Sequence, residues 1–261
     1  MRRLGLLALE AWLPVGIVLF WYFASNHSHS PYWPPLREIW QAVEANWFFA
    51  HFGTDLVPTM RRVVEGFVVA VVIGVGIGAA LGASPLLRRM FEPTLEFLRA
   101  TPGVAMIPIS IFVFGINDSQ KVFVIAFVSV WAILLNTTEG VRGIDQSFHD
   151  MAHVYGLRRR ERILRLILPA ALPQMFAGLR VALAQALLVG VVAELFASRD
   201  GLGRFILQAQ GTFQIKDMWS GIIVLAIVAY LINLVFVMIE RRVLYWHRGW
   251  RASVLGEGGG G

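Results

Sequence analysis

The 261-residue chain contains no cysteine, which excludes a disulfide framework, an Fe–S cluster and a thiolate zinc site. Charge is also scarce. Asp, Glu, Lys and Arg supply 15% of the residues against 57% hydrophobic, and the mean hydropathy is +0.63. That balance is too apolar for an ordinary soluble domain and places the chain in a bilayer. No G-x-x-x-x-G-K-[ST] run occurs, so there is no P-loop to cradle nucleotide phosphates, and no Ser/His/Asp nucleophile pattern stands out. The net charge of +6 raises nucleic acid as a partner, but no nucleic-acid module is present.

What the chain does have is long apolar runs. Crossing the hydrocarbon takes about 20 residues of helix, and six spans can be drawn on that basis. They are Leu4 to Ala24, Val63 to Ala83, Leu95 to Gly115, Val122 to Leu135, Met175 to Ala197 and Ile222 to Ile239. The expected fold class is an all-α membrane protein of about six transmembrane helices. Its organisation divides into a first span with an external amphipathic segment (1–62), a core of five spans (63–242) holding a polar loop (139–172), and a basic interfacial tail with a glycine-rich end (243–261). The N-terminal run imitates a signal peptide, but Tyr22 stands where a cleavage site needs a small residue, so a retained span is expected. Glu10 within it should be paired or face protein.

Cytoplasmic loops retain Lys and Arg, and with the N-terminus inside the division is 16 inner against 7 outer. Both termini and the loop after the fourth span are therefore expected in the cytoplasm. The same division puts nine acids inside and eight outside, a balance of +7 within and −1 without. The excess basicity is a topology signal rather than a nucleic-acid footprint. Trp33, Trp40 and Trp47, on the amphipathic segment after the first span, are expected at headgroup level.

The polar loop carries the sequence EGVRGIDQSFHDMAHVYGLRRRERILRLILP, from Glu139 to Pro169. Ser147 followed three residues later by Asp150 has the form of a capping box and predicts a helix from Ser147 to Tyr155. Phe148, Met151, Ala152 and Tyr155 recur at i, i+3, i+4 and i+7, one apolar stripe on a helix too short to stand alone. Gly156 supplies a left-handed stop. A second helix is predicted from Arg158 to Leu168, with Glu161 and Arg165 as an i, i+4 pair.

This run, from Asp150 through Gly156 to Leu168-Pro169, resembles the EAA loop of binding-protein-dependent ABC importer permeases. Ala152, Gly156, Leu168 and Pro169 stand in register, while Asp150 replaces Glu, Met151 replaces Ala and Leu166 replaces Ile. The downstream text LPAALPQMFAGLRVALAQALLVGVVAE is similar to the branch that imports nitrate, sulfonates, taurine and related small solutes. LRATPGVAMIPISIFVFGI resembles the family's Pro-rich third helix, with Gly103 in place of one proline, and SRDGLG resembles an external gate segment.

The resemblance implies a type I ABC importer permease fold in a bacterial plasma (inner) membrane, and a chain that forms the solute pathway while hydrolysing nothing itself. It implies a cytoplasmic ABC ATPase dimer carrying the ATP and Mg, a second permease copy expected as a homodimer, and an extracytoplasmic solute-binding protein. No cofactor is expected on this chain. Coupling to the ATPase would fall to Ser147, Phe148, Asp150, Met151, Ala152, Tyr155, Gly156, Arg158 and Pro169.

Candidates for the pathway are the polar and helix-breaking residues at depth. Pro102 and Pro108 interrupt the third span, which makes it a pathway wall with Ser110 as its polar contact, or a packed helix merely kinked. Asn136, Gln185 and Glu194 are expected to face the bundle interior, bonding to another helix or lining a route; Glu194 also suits the interface. Gly74, Gly78 and Gly82 form a ridge of missing side chains for close helix packing. They weakly mimic a dinucleotide loop, without the strand that such a loop needs.

Two other function classes find partial signals in the sequence. His149-Asp-Met-Ala-His153 has the spacing of a metalloprotease motif, but no third ligand stands out, and His27 and His29 in a Ser-rich loop read as solvated. An ion-gradient transporter would need ionisable relays and internal repeats, and Glu10 and Glu194 are sparse for that.

Overall fold

The computed structural model describes residues 30–196 and 198–246, together with residues 12, 16–17 and 19–25. Most of the predicted first span, with Glu10, His27, His29 and the glycine-rich end, lies outside the described residues. Among the described residues there are helices and turns and no strand. The helices are α1 (Leu36–Ala45), α2 (Val57–Ala83), α3 (Pro85–Ala100), α4 (Met106–Phe114), α5 (Asp118–Arg142), α6 (Gln146–Val154), α7 (Arg159–Arg162), α8 (Leu168–Phe196), α9 (Leu202–Gly211) and α10 (Ile215–Val243).

Among the described residues, four continuous helical stretches are long and apolar enough to cross a membrane: Phe52–Ala83, Asp118–Arg142, Arg160–Phe196 and Ile215–Val243. Each outruns the span drawn from hydropathy. Charged residues at the ends stay helical, and at the starts of α2 and α5 two of them are buried. Arg62 and Lys121 are 3% and 2% exposed, so helix continues where the apolar text stops.

The third predicted span is corrected. Leu95 to Gly115 is not one straight helix; α3 and the stretch Gly103–Phe114 meet at 81°. Pro102 has no N–H to continue α3 and drives the preceding residue out of the helical region, and Thr101 is extended at φ −70°, ψ 123°. Gly103 then opens a 3-10 turn, where a Cβ would stand 2.2 Å from Val128 Cγ2. Pro108 lies within α4 and does not break it.

The chain forms two compact units, Thr59–Ser198 with Val228–Gly261, and Met1–Pro58 with Arg199–Ile227. In the larger unit α5 is the common wall. Val130 and Ile133 of α5 pack with Ala70 of α2 and Ala182 of α8, and Val124 packs with Ile107 of α4 and Val189 of α8. Close approach to α2 depends on glycine. A Cβ on Gly74 would lie 2.9 Å from Ile133, one on Gly78 2.7 Å from the Leu134 carbonyl oxygen, and one on Gly82 2.7 Å from Val141. Gly66, against Ile125, extends this ridge toward the start of the helix. Such contact supplies dispersion where lipid removes the hydrophobic drive between helices.

In the smaller unit Trp47, one of the three tryptophans expected at headgroup level, is enclosed by protein. It is 5% exposed, its Nε1 donates to Ser220 Oγ at 3.1 Å, and its ring meets Phe205 at 4.8 Å. Trp33 stacks on Trp21 at 5.0 Å, while Trp40 is half exposed with its N–H on Glu44.

Candidate functional site

The polar loop folds as a short helix-turn-helix. Its capping differs from the capping-box expectation. Asp145, not Ser147, is the N-cap of α6, accepting the Ser147 N–H at 2.8 Å. The Ser147 hydroxyl, and after it the Ser147 N–H, hold the Asp145 carboxyl below its ordinary value of 3.8. Asp150 does not cap; its Oδ1 accepts Gln146 Nε2 at 3.1 Å across one turn. Asp145 lies two residues before the capping-box serine, and an Asp at that place is as good a cap as Ser.

The end of α6 is closed twice. Gly156 N–H donates to the His153 carbonyl and Leu157 N–H to the Ala152 carbonyl, both at 3.0 Å, with Gly156 at φ +63°. This is the Schellman arrangement, and it needs a residue that tolerates the left-handed region. The Arg158 N–H then falls to Glu161 Oε2 at 3.1 Å. Glu161 thereby serves as the cap of the second helix rather than the predicted i, i+4 partner of Arg165.

The stripe divides by exposure. Ala152 is 2% exposed and anchors α6 to its own chain, whereas Phe148, Met151 and Tyr155 are 47%, 45% and 76% exposed. Val154, absent from the sequence stripe, is 83% exposed beside them. The helix thus presents an apolar face with no cover among the described residues.

From Arg160 the helix runs unbroken to Phe196, through a π turn at Ile163–Ile167. The π turn ends at Ile167, directly before Leu168-Pro169, next to the proline whose ring would crowd the Arg165 carbonyl and which has no N–H to bond it. The second helix of the loop and the following span are therefore one rod.

The polar pathway candidates make separate contacts between helices. Ser110 is buried, donates to the Ile107 carbonyl at 2.7 Å and accepts Gln120 Nε2 at 2.9 Å, which ties α4 to α5. Asn136 Oδ1 accepts Gln174 Nε2 at 2.9 Å and ties α5 to α8. Gln185 is half-buried, with a buried Oε1 that has no protein partner. Glu194 is 2% exposed, accepts Thr59 Oγ1 at 2.9 Å on both oxygens, and pairs with Arg62 Nη1 at 2.8 Å. Sequence reasoning missed Thr59 and Arg62 because it ended the span at Val63; the available signal was a lone buried acid, which demands a cation.

A cavity of about 550 Å³ does occur in the larger unit, with Phe114, Phe123, Phe127 and Trp131 along one wall and Glu65 and Asp118 among its polar lining. In the smaller unit the SRDGLG segment turns at Gly201, φ +108°, whose N–H is held by Asp55 Oδ1 at 2.9 Å. It borders a polar cavity of about 330 Å³ with Asn46, His51, Arg199, Arg204 and Asp217.

The family described as binding-protein-dependent transport system inner membrane component matches residues 71–244. The bicarbonate transport system permease protein CmpB of Synechococcus elongatus is 33% identical over 72% of this chain and 68% of its own length. The taurine transport system permease protein TauC of Escherichia coli is 30% identical over 90% of this chain and 88% of its own length. A structure of the MetNI methionine ABC transporter in an inward-facing conformation shares the fold, with a TM-score of 0.64 at 19% identity over 72% of this chain and 94% of that one. The relatives are transport permeases rather than enzymes. With four membrane-length helices among the described residues and a family match over most of its length, the chain is an integral membrane protein of the binding-protein-dependent transport system inner membrane component family, a permease subunit of an ABC importer.

Proposed function

We propose that two copies of this chain enclose one pathway in a bacterial plasma membrane, that a cytoplasmic ATPase dimer grips the two α6 helices, and that an extracytoplasmic binding protein delivers solute to the outer mouth. The observation that carries the reading is α6 itself. A nine-residue helix is too short to persist alone. Here it is capped at both ends, anchored by Ala152, and left with Phe148, Met151 and Tyr155 uncovered. Anchors at that spacing suit a helix-in-groove contact.

ATP and Mg belong to the partner ATPase. Closure of its two subunits would draw the α6 helices together, and the Arg160–Phe196 rod would carry that movement across the bilayer. The excess of Lys and Arg on the loops of the α6 side supports a cytoplasmic placement. Ser147, Asp150, Gly156, Arg158 and Pro169 act in this scheme by shaping α6 and its junction with the rod.

The solute class is small oxo-acids of the nitrate, sulfonate and taurine kind. Support comes from the relatives, which are named for bicarbonate and taurine, two solutes with a compact oxyanion group. The test is uptake into liposomes containing the permease, ATPase and binding protein, with no ion gradient. Taurine, nitrate and bicarbonate are offered in turn. Accumulation that requires internal or external gradients rather than ATP would refute the reading.

A further inference from the structure

Resting on the proposed ATP-driven import, a second element of the mechanism emerges at the opposite end of the rod from α6. Glu194 stands two residues before the end of α8, and a carboxylate there is 2% exposed. It is held by two groups of α2, Thr59 at 2.9 Å and Arg62 at 2.8 Å, which are 1% and 3% exposed. Arg62 also reaches α5, with Nε and Nη2 at 2.7 and 2.6 Å from Asp118 Oδ1. Arg61 pairs with the other oxygen of Asp118 and lies 3.7 Å from Glu65. One guanidinium thus joins the ends of three membrane-length helices.

The arrangement is asymmetric. Asp118 has a side chain 38% exposed, while Glu194 is enclosed. A buried charge whose partner leaves is costly, so a permanent tie and a releasable one differ in whether each member keeps a partner on separation. Here each does when the guanidinium swings while the helices stay in contact: Arg62 retains Asp118 and Glu194 retains the Thr59 hydroxyl, about which α8 can pivot, whereas full withdrawal of α8 from α2 would strip Glu194 of both groups. The exchange is between charged hydrogen-bonded states on both sides, which is the requirement for a two-state element biased from a distance. The rod supplies the distance: Arg160–Phe196, 37 residues at about 1.5 Å each, runs from the α6 junction to just past Glu194.

We propose that Arg62–Glu194 is a latch that holds the far end of α8 against α2 in the resting transporter, and that Arg62 and Glu194 are positioning residues for import. Its opening lets the rod pivot when the ATPases close. Losing the latch lets the ATPases close without the binding protein's signal.

The experiment uses the full complex of permease and ATPase in nanodiscs, supplied with Mg-ATP alone. Glu194→Gln keeps shape and the Thr59 contact but removes the charge, and should raise basal hydrolysis about fivefold or more, the lower end of ordinary coupling strengths. Where Glu194→Gln fails to assemble, Arg62→Gln/Glu194→Gln leaves no unpaired charge and should show the same rise. Arg62→Lys keeps the charge but offers one nitrogen where the guanidinium uses three, and should raise the basal rate less than Glu194→Gln does. A merely structural tie would lower yield and rate together. Assembled Gln variants hydrolysing at the unaltered basal rate would overturn the latch. If the unaltered chain assembles with no ATPase at all, the import reading itself fails and takes the latch with it.

Discussion

The backbone N–H of Leu157 donates to the carbonyl oxygen of Ala152 at 3.0 Å, and this bond closes the helix that carries Phe148 and Met151. It exists because Gly156, between them in sequence, sits at φ +63°. An ordinary residue in the left-handed region costs about 1–2 kcal/mol.

Nothing lies within 4 Å of a Cβ at Gly156, so a substitution there is penalised by backbone conformation alone. Gly156→Leu should insert and express normally yet disconnect ATP hydrolysis from uptake, because α6 loses its end. The measurement is the ratio of solute imported to ATP hydrolysed in proteoliposomes; a normal ratio contradicts the role given to the turn.

Phe148 is 47% exposed on the uncovered face of α6. Phe148→Asp would place a charge in a dry groove, at a cost of several kcal/mol in the bound state only. Co-purification of the ATPase should fall while the yield of the permease is unchanged. Equal recovery of ATPase would remove Phe148 from the interface.

Asp145 contributes to α6 as an ionised cap. Its pKa is lowered in the folded state, so the stability it lends is present above the ordinary value of 3.8 and is lost as pH falls through the folded-state value. Between pH 6 and 8 this group should therefore give no pH dependence. Asp145→Ala should weaken ATPase association across that whole range, and Asp145→Asn, also a capping residue, should restore most of it. A pH-dependent difference between the Asp and Asn forms near neutrality would count against the cap.

The glycines of α2 make a paired prediction. A Cβ at Gly78 meets the Leu134 carbonyl oxygen at 2.7 Å and Thr137 Cβ at 2.8 Å, whereas one at Gly76 meets nothing within 4 Å. Gly78→Ala should destabilise the bundle by about 1–3 kcal/mol, the usual cost of overpacking. Gly76→Ala should be neutral or slightly stabilising, since alanine favours helix. Thermal unfolding in detergent separates them, and equal midpoints would mean that α2 and α5 are not in contact along this ridge.

The sequence by itself determined the class of molecule and the outline of its loop. Apolar run length demands membrane helices whatever the tertiary contacts, and Gly156 marks a stop because backbone geometry at that point is a local matter. The register Ala152, Gly156, Leu168, Pro169 identified the family for the same reason: short helices and turns are written in adjacent residues. Tertiary structure alone decided which polar groups meet. Arg62 and Glu194 are 132 residues apart, and Gln174 reaches Asn136 across 38. Hydropathy marks where charges begin but is blind to a partner on another helix, so it cut the spans short at Val63 and Val122. Likewise the enclosure of Trp47 by Ser220 and Phe205 is not written in its chain neighbours, and the 81° bend after Pro102 leaves Gly103 where a Cβ would meet Val128, a contact between residues far apart in sequence.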